Sequence, residues 1–139
     1  MSKLSIVTPF YRRKEIVESF LEQYCIVAKK ITNDFEIIIV DDSPDDELFD
    51  HLKKIKSNYP YLRVIKLSKN WGQHPAILAG LHKATGDLIA IADCGMREDP
   101  KNLVSYYDKM QMDKLDLVIG VKDEYKAPFF KKFLSKVFW

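Results

Sequence analysis

Residues 35–44 read FEIIIVDDSP. The run Phe35–Val40 is apolar almost throughout and short, the signature of a strand covered on both faces. Such strands belong to parallel sheets sandwiched between helices. The run stops abruptly on Asp41 and Asp42, so a buried strand delivers two carboxylates to its end.

The pattern repeats outward from this strand. Before it, Leu4–Thr8 is a short β-branched run stopped by Pro9. Between the two, Lys14–Lys30 places Ile16, Phe20, Tyr24 and Val27 on one helical face, with Val17, Leu21 and Cys25 beside them. After it, Glu47–Asn58 carries Leu48, Leu52 and Ile55 at helical spacing, and Leu62–Leu67 reads as a third strand. Pro75 suits the first turn of a helix continued by Ile77, Leu78, Leu81 and Ala84, with Gly86 as its stop. Leu88–Ala92 is a fourth strand, Pro100 opens a helix through Leu103, Tyr107 and Met110, and Leu115–Ile119 is a fifth strand.

Strand–helix alternation of this kind predicts an α/β fold, a Rossmann-like, mostly parallel sheet with helices on both faces. Its crossovers should be right-handed, and its ligands should bind beyond the carboxyl ends of the strands. The polar residues gather at those ends. Thr8, Pro9 and Tyr11 follow the first strand, Asp41 and Asp42 the second, and Asp93 the fourth. Each carboxylate alone also suits a turn or a helix cap. Together they describe a site.

Composition limits what that site can serve. The 139 residues are 47% hydrophobic and 12% aromatic, enough for one substantial core. Basic and acidic residues number 22 and 20 and leave a net charge of +2, so no polyanion footprint points to nucleic acid. Cys25 and Cys94 form neither a C-x-x-C pair nor a His-Cys cluster, and read as reduced thiols. The N-terminal apolar run is too short for a signal peptide, and no stretch is long enough to span a bilayer. A cytoplasmic location follows as the expectation.

Motif patterns narrow the chemistry further. No strand is followed by G-x-G-x-x-G, and there is no G-x-x-x-x-G-K-[ST] loop. No Ser-His-Asp or Cys-His arrangement can be assembled, and His51 and His82 fall on polar helix faces. A phosphoacceptor receiver domain would also use an acidic pair and a later strand-end aspartate. It would place that pair on the first strand and need further strand–helix units after Asp93, with a strand-end lysine for which Lys122 is a poor stand-in.

The segment SKNWGQHPAILAGLHKATGDLIAIADCG, residues 68–95, resembles the central stretch of family-2 glycosyltransferases, and within them the polyprenyl-phosphate sugar transferases of the dolichol-phosphate mannose synthase type. That pattern joins a basic residue, Asn, an aromatic and G-Q to a helix ending in G-D and a strand closing on D-x-D. Here it reads Lys69, Asn70, Trp71, Gly72, Gln73, Gly86, Asp87 and Asp93. TPFYRRKE is similar to the family's first nucleotide-contacting loop, and FEIIIVDDSPDD resembles its second. The resemblance runs along essentially the whole chain in order.

The resemblance implies an A-type glycosyltransferase fold that uses a nucleotide-activated sugar. Pro9 and Tyr11 would border the nucleobase, and Asp42 with Asp41 would bond base or ribose. Lys69 would lie near the base and Gly72–Gln73 near the sugar nucleotide. Asp93 would serve the ribose, the diphosphate or a divalent cation, Mg or Mn. The implied reaction moves a sugar from a nucleoside diphosphate to a polyprenyl phosphate or glycan. The competing expectation is a degenerate or truncated transferase that binds nucleotide or a partner without turnover.

Three departures stand out. Asp93-Cys94-Gly95 lacks the second acid of D-x-D, with Glu98 and Asp99 as distant substitutes. Arg12-Arg13 replaces the family's Asn-Glu, and the second loop lacks a glycine after Asp42. The family's acceptor site and catalytic base lie beyond the D-x-D region, so the catalytic residue stays unassigned. The expected organisation is a nucleotide-sugar-binding domain over 1–122 and a basic amphipathic segment over 123–139, the start of a second half. In that segment Phe129, Phe130, Phe133, Leu134, Val137 and Phe138 share a face opposite Lys131, Lys132 and Lys136. It reads either as a helix that packs on the second half or as peripheral membrane contact through 127–139 at the inner face of the membrane, and its apolar face also carries an expectation of homo-oligomerisation.

Overall fold

The structure is a computed structural model that describes residues 2–121. Four strands, β1 (Leu4–Phe10), β2 (Phe35–Asp41), β3 (Leu62–Lys66) and β4 (Leu88–Ile91), form one parallel sheet in the order β3-β2-β1-β4. Helices α1 (Val17–Ile31), α2 (Glu47–Ile55) and α3 (Gln73–Lys83) make the crossovers, α4 (Asn102–Asp113) follows β4 and packs on α1, and together they cover both faces.

The alternation in β2 shows why. Ile37 and Ile39 join the large core with Phe20, Leu21, Leu48 and Leu52 from α1 and α2, while Ile38 and Val40 meet Val7 and Ala76 on the α3 face. All four β2 side chains are fully buried, so both faces of the strand lose water at once. Helix α1 commits Val17, Phe20, Leu21, Tyr24, Ala28 and Ile31 to that core, and the Phe20 ring meets Phe10 edge-on at 5.6 Å. Helix α3 buries only Ala76 and Gly80. Gly80 sits so close to the sheet that an added Cβ would stand 2.3 Å from a Val7 methyl.

Several boundaries differ from the sequence reading. β1 runs through Pro9 to Phe10, because β4 ends opposite Val7 and leaves Pro9 a neighbour on one side only. α3 ends at Lys83, and Gly86 serves as a point of close approach instead of a helix stop. A Cβ there would meet the Ser5 nitrogen at 2.7 Å. α4 begins at Asn102, two residues after Pro100.

The expected strand Leu115–Ile119 is not one. Its residues are irregular and Leu117 and Ile119 are about 70% exposed. Apolar β-branched composition favours a strand only where a paired neighbour exists. This segment lines an apolar groove of about 470 Å³ with β4 without joining its ladder. The domain boundary at 122 and the amphipathic segment over 123–139, with its contact through 127–139, lie outside the described residues.

Candidate donor-binding site

β1 is followed by β2 on one side, and β4 lies on its other side. Strand order reverses between β1 and β4, and the loops beyond their carboxyl ends part there to leave a crevice. A cleft of about 390 Å³ occupies that place. β1 and its loop contribute Pro9, Phe10, Tyr11 and Arg13, and the end of β2 contributes Asp42. The segment entering α3 adds Asn70, Gly72 and Gln73, and the end of β4 adds Asp93, Cys94 and Arg97. Pro9, Tyr11, Asp42, Gly72, Gln73 and Asp93 are therefore brought together as the sequence predicts.

Asp41 and Lys69 are not part of that lining. Asp41 is fully buried, accepts the Ser43 N–H at 2.9 Å and lies 3.3 Å from the Lys66 ammonium. It organises the strand-end turn. The Lys69 ammonium sits 4.2 Å over the Trp71 ring.

Asp42 is the hinge between two loops. Its Oδ1 accepts from the Trp71 N–H at 2.7 Å and its Oδ2 from the Gly72 N–H at 2.9 Å. Gly72 has φ +96°, a conformation that favours glycine, and an added Cβ would meet nothing within 4 Å. Backbone conformation, not space, thus selects glycine at the helix entrance. A carboxylate offers about four lone-pair sites, so two remain for a ligand donor in the cleft. Tyr11, 46% exposed, lines the same cleft, and the Arg12 guanidinium carbon lies 5.4 Å from its ring centroid.

The β4 loop holds a different chemistry. Asp93 Oδ2 accepts from the Arg97 backbone at 3.4 Å and from its Nε–H at 3.2 Å. A Cβ built on Gly95 would lie 3.2 Å from Asp93 Oδ2, 3.7 Å from an Arg13 terminal nitrogen and 3.8 Å from Arg97 Nε. Glu98 bonds the Tyr106 hydroxyl and Asp99 accepts the Lys101 N–H at 2.9 Å, so neither completes a pair with Asp93. Burial pushes the Cys94 thiol up, Asp93 adds to this, and Arg13 and Arg97 oppose it. Behind the loop, burial drives the Tyr24 phenol up to about 12, helped by Glu98, Asp93 and Asp99.

A divalent cation prefers several oxygen ligands. Among the described residues no three His, Cys, Asp or Glu side chains converge on one point. The single carboxylate at the expected place is paired with a guanidinium, and a second guanidinium stands close by. The donor set does not fit a resident metal. Arg13 and Arg97 are the charged cleft residues that the sequence reading left unassigned; the Arg12-Arg13 departure was a visible signal for the first, and Arg97 had none.

The family model "Glycosyl transferase family 2" matches residues 5–138. The chain belongs to glycosyl transferase family 2. This sets aside the receiver-domain alternative, as does the sheet, where β1 separates the acidic pair on β2 from Asp93 on β4. The undecaprenyl-phosphate 4-deoxy-4-formamido-L-arabinose transferase of Serratia proteamaculans is 31% identical over 139 residues, covering 99% of this chain and 42% of that protein. The chain thus spans about two fifths of that relative's length.

Solved structures share the fold. The mannosyltransferase PcManGT from Pyrobaculum calidifontis, in complex with GDP-Man and Mn2+, superimposes with a TM-score of 0.57 at 19% identity. That match covers 67% of this chain and 27% of its own. S. aureus TarS 1-349 in complex with UDP-GlcNAc gives a TM-score of 0.54 at 19% identity, covering 90% of this chain and 38% of that one. Both likenesses confirm the A-type glycosyltransferase architecture of the sheet and its helices.

Proposed function

We propose that this chain is the donor-binding half of a glycosyltransferase that moves a sugar from a nucleoside diphosphate to a polyprenyl phosphate, with a glycan as the alternative acceptor. One observation carries the reading. Six residues that the family pattern assigns to the nucleotide sugar meet in one cleft at the switch point of the sheet.

In this reading the base stacks on Tyr11 above Pro9, and the spare lone pairs of Asp42 accept a base N–H. Asp93 Oδ1, left free by Arg97, accepts a ribose hydroxyl. In the transfer an acceptor oxygen forms the new bond to the anomeric carbon. The electron pair of the broken bond passes to the β-phosphate oxygen, which leaves as nucleoside diphosphate. A phosphate acceptor is already ionised, whereas a glycan hydroxyl must give its proton to a base. No described residue is assigned that part.

The likeness to the undecaprenyl-phosphate sugar transferase of Serratia supports a polyprenyl-phosphate acceptor. Such an acceptor places the reaction at a membrane face, and the cytoplasmic face is the one proposed. No described helix is long and apolar enough to cross a membrane.

Calorimetric titration with UDP, GDP and their sugars tests the donor site. Saturable binding of one nucleotide series supports it, and silence with every nucleotide, with or without manganese, sinks it.

A further inference from the structure

We infer that Arg13 and Arg97 form a guanidinium clamp for the donor's diphosphate and take over the charge neutralisation that a bound divalent cation would otherwise provide. The inference rests on the donor reading above and concerns the same cleft.

Both arginines are aimed at one point. Arg13 leaves the end of β1 and Arg97 the end of β4, the two strands that flank the switch point. Their nitrogens stand 3.7 and 3.8 Å from the place where a side chain at Gly95 would begin. That glycine occupies the place of the second acid in the D-x-D pattern, so two guanidinium groups border the space a ligand carboxylate would have entered, beside Asp93 Oδ2 at 3.2 Å. A side chain at Gly95 would begin within 4 Å of both guanidinium groups, and glycine leaves that space free.

The backbone holds this arrangement at a cost. Arg12, Arg13 and Met96 have φ of 56°, 60° and 49°, a left-handed conformation that costs non-glycine residues about 1–2 kcal/mol each. Glycine would relieve it, yet the chain keeps side chains there. Strain of this kind gathers where a loop must aim a group. In the first loop the turn separates the pair: Arg12 goes outward to Asp45 at 3.5 Å, while Arg13 lines the cleft.

The clamp has donors to spare. A guanidinium carries five N–H donors. Arg13 Nε is near Glu15 at 3.5 Å and Arg97 Nε near Asp93 at 3.2 Å. Among the described residues the terminal nitrogens of both lack hydrogen-bond partners. Both side chains are more than half exposed, so they can settle onto a ligand. The planar fork of guanidinium fits phosphate oxygens two at a time, which makes the partner a diphosphate and not a single hydroxyl. Asp93 holds Arg97 in place and offsets part of its charge until the anion arrives.

Titration of the 139-residue chain with inorganic pyrophosphate, UDP and GDP in EDTA tests the clamp, with thermal unfolding as the folding control. Pyrophosphate and one nucleotide are expected to bind, with little change on adding manganese. Arg13→Gln and Arg97→Gln should each weaken pyrophosphate about tenfold, the loss of a charged hydrogen bond, without changing the melting temperature. Each should also flatten the salt dependence. Pyrophosphate binding that ignores both substitutions, or nucleotide binding that appears only with manganese, overturns the clamp and leaves the donor site standing. Arginine-dependent pyrophosphate binding with no added affinity for UDP or GDP does the reverse.

Discussion

Asp42 accepts the backbone N–H of Gly72 at 2.9 Å, and through that bond the end of β2 fixes the entrance to α3. With the matching bond from Trp71, one side chain ties two walls of the cleft together. Asp42→Asn keeps the shape but replaces one acceptor oxygen with an amide that faces a donor. The expected cost is about 1–3 kcal/mol, seen as a lower melting temperature together with weaker nucleotide binding. Unchanged stability would show that the loop does not depend on this carboxylate.

Gly95→Asp should restore a two-carboxylate site. The new Cβ would lie 3.2 Å from Asp93 Oδ2, a tight contact that a partly exposed side chain can relieve. The added charge also opposes the diphosphate near Arg13 and Arg97. UDP or GDP should therefore bind the variant more weakly than wild type in EDTA, and manganese should recover the loss. A variant that ignores manganese would mean that the loop geometry no longer suits a metal.

The parallel sheet was legible because FEIIIV buries both faces, a local property of the chain. The cleft was legible because strand ends of a parallel sheet share one edge, so order along the chain predicts nearness in space. Leu115–Ile119 misled because pairing is not local: an apolar run becomes a strand only beside a partner. Asp41 looked equivalent to Asp42, yet strand alternation turned one into the turn and the other toward the cleft. The arginines of the clamp lie 84 positions apart. The pairing of β1 with β4 brings their loops to one edge, and the left-handed turns at Arg12, Arg13 and Met96, which the sequence does not announce, shape those loops.

Gly80→Ala tests how closely α3 lies on the sheet. Alanine usually favours a helix over glycine by about 1 kcal/mol. Here its methyl would stand 2.3 Å from Val7 and 3.1 Å from Val40, both buried β-branched residues with little rotamer freedom. Overpacking costs about 1–3 kcal/mol and should outweigh the helix gain. Chemical denaturation should show net destabilisation, and a more stable variant would refute the close packing.

Glu36 sets the acid limit of the fold from the end of the sheet opposite the cleft. Burial pushes its carboxyl up, but hydrogen bonds from Ser5, Arg63 and Thr85 outweigh this and hold it at about 2, against an ordinary 4.5. Those bonds join β1, β3 and the turn before β4 to one buried side chain. A folded-state value below the unfolded one means that the carboxylate's contribution is complete above 4.5. It is lost as pH falls from 4.5 towards 2, where the unfolded chain takes up the proton first. Wild type should therefore lose stability through that window in denaturation series. Glu36→Gln should start about 1–3 kcal/mol lower at neutral pH, since the Arg63 pair is gone, and should show a shallower decline. Parallel acid profiles for the two proteins would assign the loss to other carboxylates.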